Sequence, residues 1–321
     1  MRRLWRGDSI DLMDVSILIP AYNCERTIRR AIESALQQTF QDFELIVVDD
    51  GSQDGTLEVI KTIVDPRIKV VRHPKNSGEA EARNTAIKSS SGRYLAFLDS
   101  DDEWLPEKLS RQMEAIRKEP EGIVANVTGY YLFDEFDIKR KEIPFRPASW
   151  FKYLLMGCGQ GPGTTLMVSR EAFEKIGYYD PTLPRYTDWD WLLRLTQLYP
   201  LSILTEPLAI IYRISRPQAK VAERAALRFL DKHAQDFRRF RYYGKRAIGK
   251  RYLEVAIYYF LEGNRAAGWS WFRKALSQSP LQRPGMYLRI LDALLGTSFV
   301  PGLIRLRARI QRGLVDSSQE S

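Results

Sequence analysis

Apolar and polar positions switch between two rhythms along the first hundred residues. VSILIPAY (15–22), FELIVVDD (43–50), RIKVV (67–71) and RYLAFLD (93–99) are short, almost unbroken apolar runs. Runs of that kind are expected of strands buried on both faces. Between them, CERTIRRAIESALQQ (24–38) places Ile28, Ala31, Ile32, Ala35 and Leu36 on one helical stripe. TLEVIKTIV (56–64) and EAEARNTAIKSS (79–90) also read as helices, and PEKLSRQMEAIRKE (106–119) follows with Pro106 near its first turn. Strands and helices alternating at this spacing predict βαβ units, hence an α/β fold with a mostly parallel central sheet flanked by helices.

After about residue 120 the rhythm loosens. GIVANVTGYYLF (122–133) reads as a strand, and CGQGPGTTLMVS (158–169) as a glycine-rich loop entering another. YTDWDWLLRLTQL (186–198) is a helix with an acidic, aromatic start, and LSIL (201–204) and LAIIYRI (208–214) are two short strands. From about 218 only helices are expected. AIYYFLEGNRAAGWSWFRKALSQSP (256–280) has the small and aromatic positions of one tetratricopeptide-type hairpin. One hairpin is not an array, so it reads as packing material. The predicted organisation is one α/β domain over 1–214, with a regular half at about 14–120 and a less regular, substrate-side half at about 121–214. An all-helical C-terminal extension spans 215–321.

Charge divides the chain at the same place. Residues 1–212 hold 27 Lys/Arg against 32 Asp/Glu, whereas 213–321 hold 22 against 8. The net charge of +9 therefore hides an acidic body and a basic tail, and the tail suits an anionic partner surface. LLGTSFVPGLIRLRARIQR (294–312) joins an apolar run to Arg305, Arg307, Arg309 and Arg312. A basic amphipathic segment of this type can lie on an anionic membrane. No nucleic-acid module is recognisable, so nucleic acid is not an expected partner. Cys24 and Cys158 are too few and too distant for a disulfide framework. The reduced state, the lack of an apolar leader and the absence of an apolar run of about 18 residues predict a cytoplasmic chain, at most peripheral to a membrane. The sequon at Asn126 then carries no glycan.

The chemistry gathers where strands end. The first ends PAYN (20–23), the second DDGSQDGT (49–56) and the fourth DSDD (99–102). Open α/β sheets bind ligands at the carboxyl ends of their strands, so Tyr22, Asp49, Asp50, Asp99 and Asp101 are expected on one edge. Carboxylates without His or Cys make a hard-cation site, suited to Mg2+ or Mn2+. An EF-hand counted from Asp99 fails, because its sixth and twelfth places hold Trp104 and Ser110. Asp102 and Glu103 are expected to favour the N-terminus of the next helix. There is no P-loop and no dinucleotide fingerprint. His73 and His233, the two histidines, leave little material for zinc or Ser-His-Asp chemistry, and His73 reads as structural or solvent-exposed. GQGPG (159–163) reads as an acceptor or lid loop.

VSILIPAYNCERTIRRAIESALQQTFQDFELIVVDDGSQDGT (15–56) followed by NSGEAEARNTAIKSSSGRYLAFLDSDDEW (76–104) resembles the family 2 glycosyltransferases. The resemblance covers roughly residues 14–214 and implies a GT-A fold that transfers sugars from nucleoside diphosphates, metal-assisted and with inversion. It implies that Pro20 and Tyr22 border the nucleobase and ribose, that Asp50 reads the base edge and that Arg83 lies near the nucleotide. Asp99 would face the ribose and the metal shell, and Asp101 would coordinate the metal. The family's Glu-Asp pair at a helix start falls on Thr187-Asp188, which implies Asp188 as the base that deprotonates the acceptor, with Asp190 the alternative. Trp189, Trp191 and Tyr186 are candidates for stacking on sugar faces or for the core. The implied partners are a nucleoside-diphosphate sugar and a glycan or lipid-linked acceptor in surface polysaccharide synthesis. A sugar-phosphate nucleotidyltransferase would need a basic Gly-rich loop after the first strand, where Ala21-Tyr22-Asn23-Cys24 stands. A non-catalytic scaffold on the same fold is the third reading.

Overall fold

A computed structural model of the chain describes residues 14–118, 124–134, 137–141, 147–158, 161–213, 218–280, 287 and 290. The basic run at 294–312 and the residues Gly159 and Gln160 of the glycine-rich loop lie outside the described residues. The chain divides into two compact units, Met1–Ile214 and Ser215–Ser321.

The first unit opens with β1 (Val15–Ala21), α1 (Ile28–Leu36), β2 (Phe43–Asp49), α2 (Thr56–Lys61), β3 (Ile68–Arg72), α3 (Glu79–Ser89) and β4 (Tyr94–Phe97). The strands stand in the order β3-β2-β1-β4, all parallel. Val15, Ile17, Leu18 and Ile19 of β1 are all fully buried, which its continuous apolar run requires of a strand covered on both faces. Each such side chain contributes roughly 1.5–3 kcal/mol on leaving water. The α1 stripe Ile28, Ala31, Ile32 and Ala35 packs into the same core as β1 and β2. β3 is the sheet edge on this side, and its Lys69 and Val70 are exposed. A lysine there discourages another chain from adding a strand.

The chain then forms β5 (Glu103–Trp104), α4 (Lys108–Lys118), β6 (Ala125–Asp134), β7 (Asp137–Lys141), α5 (Trp150–Leu155), α6 (Pro162–Thr165), β8 (Met167–Ser169), α7 (Arg170–Ile176), α8 (Thr187–Leu198) and β9 (Leu201–Arg213). These extend the sheet as β4-β8-β6-β9-β5, with β7 paired to β6. β6 and β9 are parallel, whereas β4–β8, β6–β8, β6–β7 and β5–β9 are antiparallel. The two expected short strands at 201–204 and 208–214 are one strand of 13 residues. Its register slips beside Gly129 and Pro207, so the bulge absorbs the proline without ending the strand. A Cβ at Gly129 would press on the backbone carbonyls of Thr205 and Glu206.

The second unit is helical among its described residues: α9 (Ala219–Lys232), α10 (Ala234–Arg239), α11 (Arg241–Leu261) and α12 (Arg265–Gln278). α11 and α12 form the hairpin read from the sequence. Gly263 turns the chain at φ +77, Asn264 caps α12 by accepting the Ala267 N–H at 3.2 Å, and Gly268 leaves room for the Phe260 ring. No described helix is long and apolar enough to cross a membrane.

Candidate active site

The carboxyl ends of β2, β1 and β4 lie side by side, with Ala21 opposite Asp49 and Leu18 opposite Phe97. Beyond β1, Tyr22 is 44% exposed, and Asn23 takes a left-handed conformation at φ +47. That turn is tied to the next acidic loop: the Asn23 N–H donates to Ser52 Oγ at 3.0 Å, and Asn23 Oδ1 accepts the Gln53 N–H at 2.9 Å. The left-handed turn carries the chain past Pro20 and leaves the Tyr22 ring open at the edge.

The acids after β2 are occupied by the protein. Asp49 is fully buried, accepts the Ser52 N–H at 3.0 Å and faces Arg72 at 3.2 Å. Asp50 accepts the N–H groups of Ser77 at 2.9 Å and Gly78 at 2.8 Å, and lies 2.6 Å from His73 Nδ1. His73 Nε2 meets Thr85 Oγ1 at 2.9 Å, so the histidine is structural, one of the two states expected for it. Three partners leave Asp50 about one acceptor position, on Oδ2.

The acids after β4 are differently placed. Arg83, on the buried face of α3 and 1% exposed, holds Asp99 Oδ1 at 2.6 Å and Glu79 at 2.7 Å through one nitrogen, Nη2. Its buried Nε and Nη1 have no hydrogen-bond partner among the described residues. Asp101 stands at the turn with its surface open on one side; the protein crowding the other side of its carboxyl, with the Asp99 charge adding repulsion, pushes its pKa up to about 6. Among the described residues no three His, Cys, Asp or Glu side chains converge to hold a metal unaided. The residues present nevertheless fit Mg2+ or Mn2+. The Asp99 and Asp101 carboxylates offer oxygen ligands and leave positions for water and phosphate, which such ions often retain. The two unpartnered guanidinium nitrogens suit an anion beside them.

Asp102 and Glu103 correct the expectation from sequence. The helix they were to cap begins only at Lys108. Asp102 is 3% exposed; it accepts the Tyr212 N–H at 2.8 Å through Oδ1 and the Thr164 hydroxyl through Oδ2. Burial, with Asp99 and Asp101 adding repulsion, raises its pKa well above the usual range. Glu103 sits in β5 and accepts from the Tyr212 hydroxyl at 3.1 Å. Arg30 completes this frame: it donates to the Asp101 carbonyl, lies 3.6 Å from Glu103 and stacks over the Tyr212 ring at 3.7 Å.

The residues that end and follow the glycine-rich segment act as a brace. Thr164 and Thr165 are fully buried in α6, and Thr164 Oγ1 also accepts the Asp99 N–H at 3.3 Å. The Thr164 carbonyl accepts the Trp104 indole N–H at 2.8 Å. A Cβ at Gly163 would collide with the Asp99 carboxylate and the Arg83 guanidinium, so glycine is required for that pair to close. Thr164, Gly163 and Arg30 had no signal in the sequence beyond their residue types, because their partners are 60 or more residues away.

α8 brings the last acid. Asn84 of α3 donates to the Tyr179 carbonyl at 2.9 Å and accepts its N–H at 3.0 Å, which ties the α7–α8 connection to Arg83's helix. Tyr186, a non-glycine residue at φ +66, starts α8, and such strain collects at functional positions. Asp188 follows and takes the Trp189 N–H at 2.7 Å. Burial raises its pKa; Arg83 opposes the shift and Asp99 adds to it, so the three groups share one field. Asp190, the alternative base, is fully buried and ion-paired to Arg194 at 3.1 Å. Trp189 and Trp191 are core residues at 2% and 0% exposure, their indoles donating to the Leu154 and Gly177 carbonyls. Tyr186 is half-buried against the edge of Trp189.

The chain is similar to known proteins. The UDP-Glc:alpha-D-GlcNAc-diphosphoundecaprenol beta-1,3-glucosyltransferase WfaP of Escherichia coli is 44% identical over 169 residues, 51% of this chain and 64% of that protein. The putative teichuronic acid biosynthesis glycosyltransferase TuaG of Bacillus subtilis is 36% identical over 171 residues, 50% of this chain and 64% of that one. The chain thus spans somewhat less than two thirds of these relatives' length. In fold, it is similar to S. aureus TarS 1-349 in complex with UDP-GlcNAc, with a TM-score of 0.57 at 18% identity, covering 84% of this chain and 92% of that one. It is also similar to the mannosyltransferase PcManGT of Pyrobaculum calidifontis in complex with GDP-Man and Mn2+, with a TM-score of 0.53 at 17% identity, covering 88% and 80%. Both likenesses show a GT-A-type fold. Residues 16–177, just over half of the chain, match the family described as glycosyl transferase family 2, and the chain belongs to that family.

Proposed function

We propose that this chain transfers a hexose, with inversion, from a nucleoside-diphosphate sugar to a hydroxyl of a lipid-linked glycan in cell-surface polysaccharide synthesis. The observation that carries the reading is the shared field of Asp99, Asp188 and the buried Arg83, with Asp101 beside them. Relatives named for UDP-glucose transfer to a diphosphoundecaprenol-linked sugar support the donor and acceptor classes.

Tyr22 and Pro20 border the base and ribose, where the open Tyr22 ring can stack on the base. Asp50 offers its remaining acceptor position to a base N–H. Asp99 faces the ribose, and Arg83 turns its free nitrogens to the diphosphate. Asp99 and Asp101 would hold the divalent cation, which when bound supplies neutralisation of charge on the leaving diphosphate. Asp188 takes the acceptor's hydroxyl proton as that oxygen bonds to the anomeric carbon. The carbon–oxygen bond to the diphosphate breaks on the opposite face, and the nucleoside diphosphate leaves. A carboxyl held above its usual range by burial is better matched to this task than a free aspartate. The reading places the chain in the cytoplasm, peripheral at the inner face of the membrane that carries the acceptor. The basic C-terminal region would face the anionic lipid surface.

The test pairs binding with turnover. Asp188→Asn keeps donor binding, followed by thermal shift with nucleotide sugars and Mn2+, while transfer to a lipid-linked acceptor is lost. Wild-type turnover in that variant would refute the base assignment.

A further inference from the structure

The second unit contains a cavity of about 600 Å3 enclosed by α9, α10 and α11. That size falls in the range of about 300–1,000 Å3 usual for small-ligand sites. Its apolar lining comes from Leu227 and Leu230 of α9, Phe237 of α10, and Ile248 and Tyr252 of α11. Its charged lining is Arg238, Arg241 and Lys245, with Asp231 as the single carboxylate. The three cations occur within eight residues across the α10–α11 junction. They are exposed, and no ion pair holds any of them among the described residues. Ile248 and Tyr252 follow one and two turns further along the same face of α11. The cavity is therefore lined by cations from the α10–α11 junction and by apolar side chains from all three helices. Gly244 makes this possible, since a Cβ there would collide with the Phe237 carbonyl and push α10 away from α11.

We propose that this cavity binds a single lipid phosphate, its anionic headgroup at Arg238, Arg241 and Lys245 and its hydrocarbon chain along Leu227, Phe237 and Ile248. Charge and apolarity must both be matched. A free phosphate ion would leave the apolar lining wet, and a neutral hydrocarbon would leave three cations unanswered. A nucleic acid would meet an apolar trough in place of a continuous basic track. The proposal goes beyond the transfer reaction: it needs neither donor nor cation, and it differs from diffuse adsorption of a basic tail because it is saturable and belongs to one cavity.

Titration calorimetry on the full-length chain tests it, with farnesyl phosphate, farnesol and inorganic phosphate as probes below their aggregation limits. Farnesyl phosphate is expected to bind with one site per chain, and the other two at least about tenfold more weakly. Arg241→Ala and Lys245→Ala should each weaken it about fivefold, the change that ~1 kcal/mol per cation gives. Ile248→Asp should remove it, while the basic substitution pair Lys220→Ala and Arg224→Ala, outside the cavity lining, should leave it unchanged. Equal binding of inorganic phosphate would overturn the proposal in favour of a plain anion site. Equal loss in the Lys220/Arg224 control would overturn it in favour of surface electrostatics, and so would absence of saturable binding by a wild-type chain with normal thermal melting. UDP binding, followed in the same variants, stays at the wild-type level if the transfer site is intact, so failure here leaves the transfer reading standing.

Discussion

Two acidic turns stand near one another at the same sheet edge, one after β2 and one after β4, and the protein treats them in opposite ways. Asp49 and Asp50 are buried and answered by backbone N–H groups, Arg72 and His73. Asp99 and Asp101 are more open: Arg83 directs one nitrogen at Asp99, shared with Glu79, and the Asp101 carboxylate has no ion pair among the described residues. An acid whose lone pairs are filled by its own chain holds a loop in shape. An acid not answered by its own chain stores a demand for a cation or a ligand, and the raised pKa of Asp101 fits such a demand.

The largest effect concerns Asp188, the base of the proposed transfer, and separates it from both turns. Asp188→Asn is expected to lower transfer about 1,000-fold, inside the range for a lost general base, with donor affinity within about twofold. Steady-state transfer and donor titration on the same preparation check it. Asp50→Ala should cost about 3 kcal/mol of folding stability, because the Ser77 and Gly78 N–H groups lose their charged acceptor. Denaturant melts measure this. Asp101→Asn should do the reverse, keeping or slightly raising thermal stability while weakening Mn2+-dependent donor binding at least about tenfold. Equal stability losses in Asp50→Ala and Asp101→Asn would erase the distinction between the turns.

The smallest effect concerns Lys108, which follows the β4 turn and is fully buried, donating to Gln112 at 2.6 Å and stacked over Trp104 at 3.7 Å. Burial drives its pKa well below the free-lysine value of 10.5. Between the folded value and 10.5 the unfolded chain binds the extra proton, so stability rises with pH across that window and falls as pH drops through the folded value. Lys108→Met should flatten this slope and raise neutral-pH stability by about 1 kcal/mol, since a desolvated buried amine is replaced by an apolar chain. Melts from pH 7 to 10 read it.

What was legible in the sequence follows a physical line. The β1–α1–β2–α2–β3–α3–β4 order is written in local periodicity, because each element buries its own stripe. The edge holding Asp50, Asp99 and Asp101 followed from strand ends alone. Asp102 was misread because its partners, Tyr212 and Thr164, are 110 and 62 residues away, and helix capping was the nearest local use for it. Glu103 was misread for the same reason: a two-residue strand pairing with Ala209 and Ile210 has no periodicity to detect. Glu206-Pro207 looked like the end of a strand because a bulge needs a partner, Gly129, that the local sequence does not contain. Asp188 was singled out by its motif position, whereas the strained Tyr186 before it is visible only in backbone angles.

The α6 brace sets a rule for anyone recombining such enzymes. Thr164 and Gly163 belong by chain position to the second half of the first unit, yet they fit against Asp99, Asp102 and Arg83 of its first half. A chimera joined near residue 120, the boundary between the halves expected from the sequence, would pair one parent's acidic turn with another parent's threonine and glycine. The two halves are therefore not separately swappable cassettes here. A hybrid keeps these contacts only if 161–165 travels with 99–104, or if the crossover falls after Arg213, where β9 has finished pairing with β5.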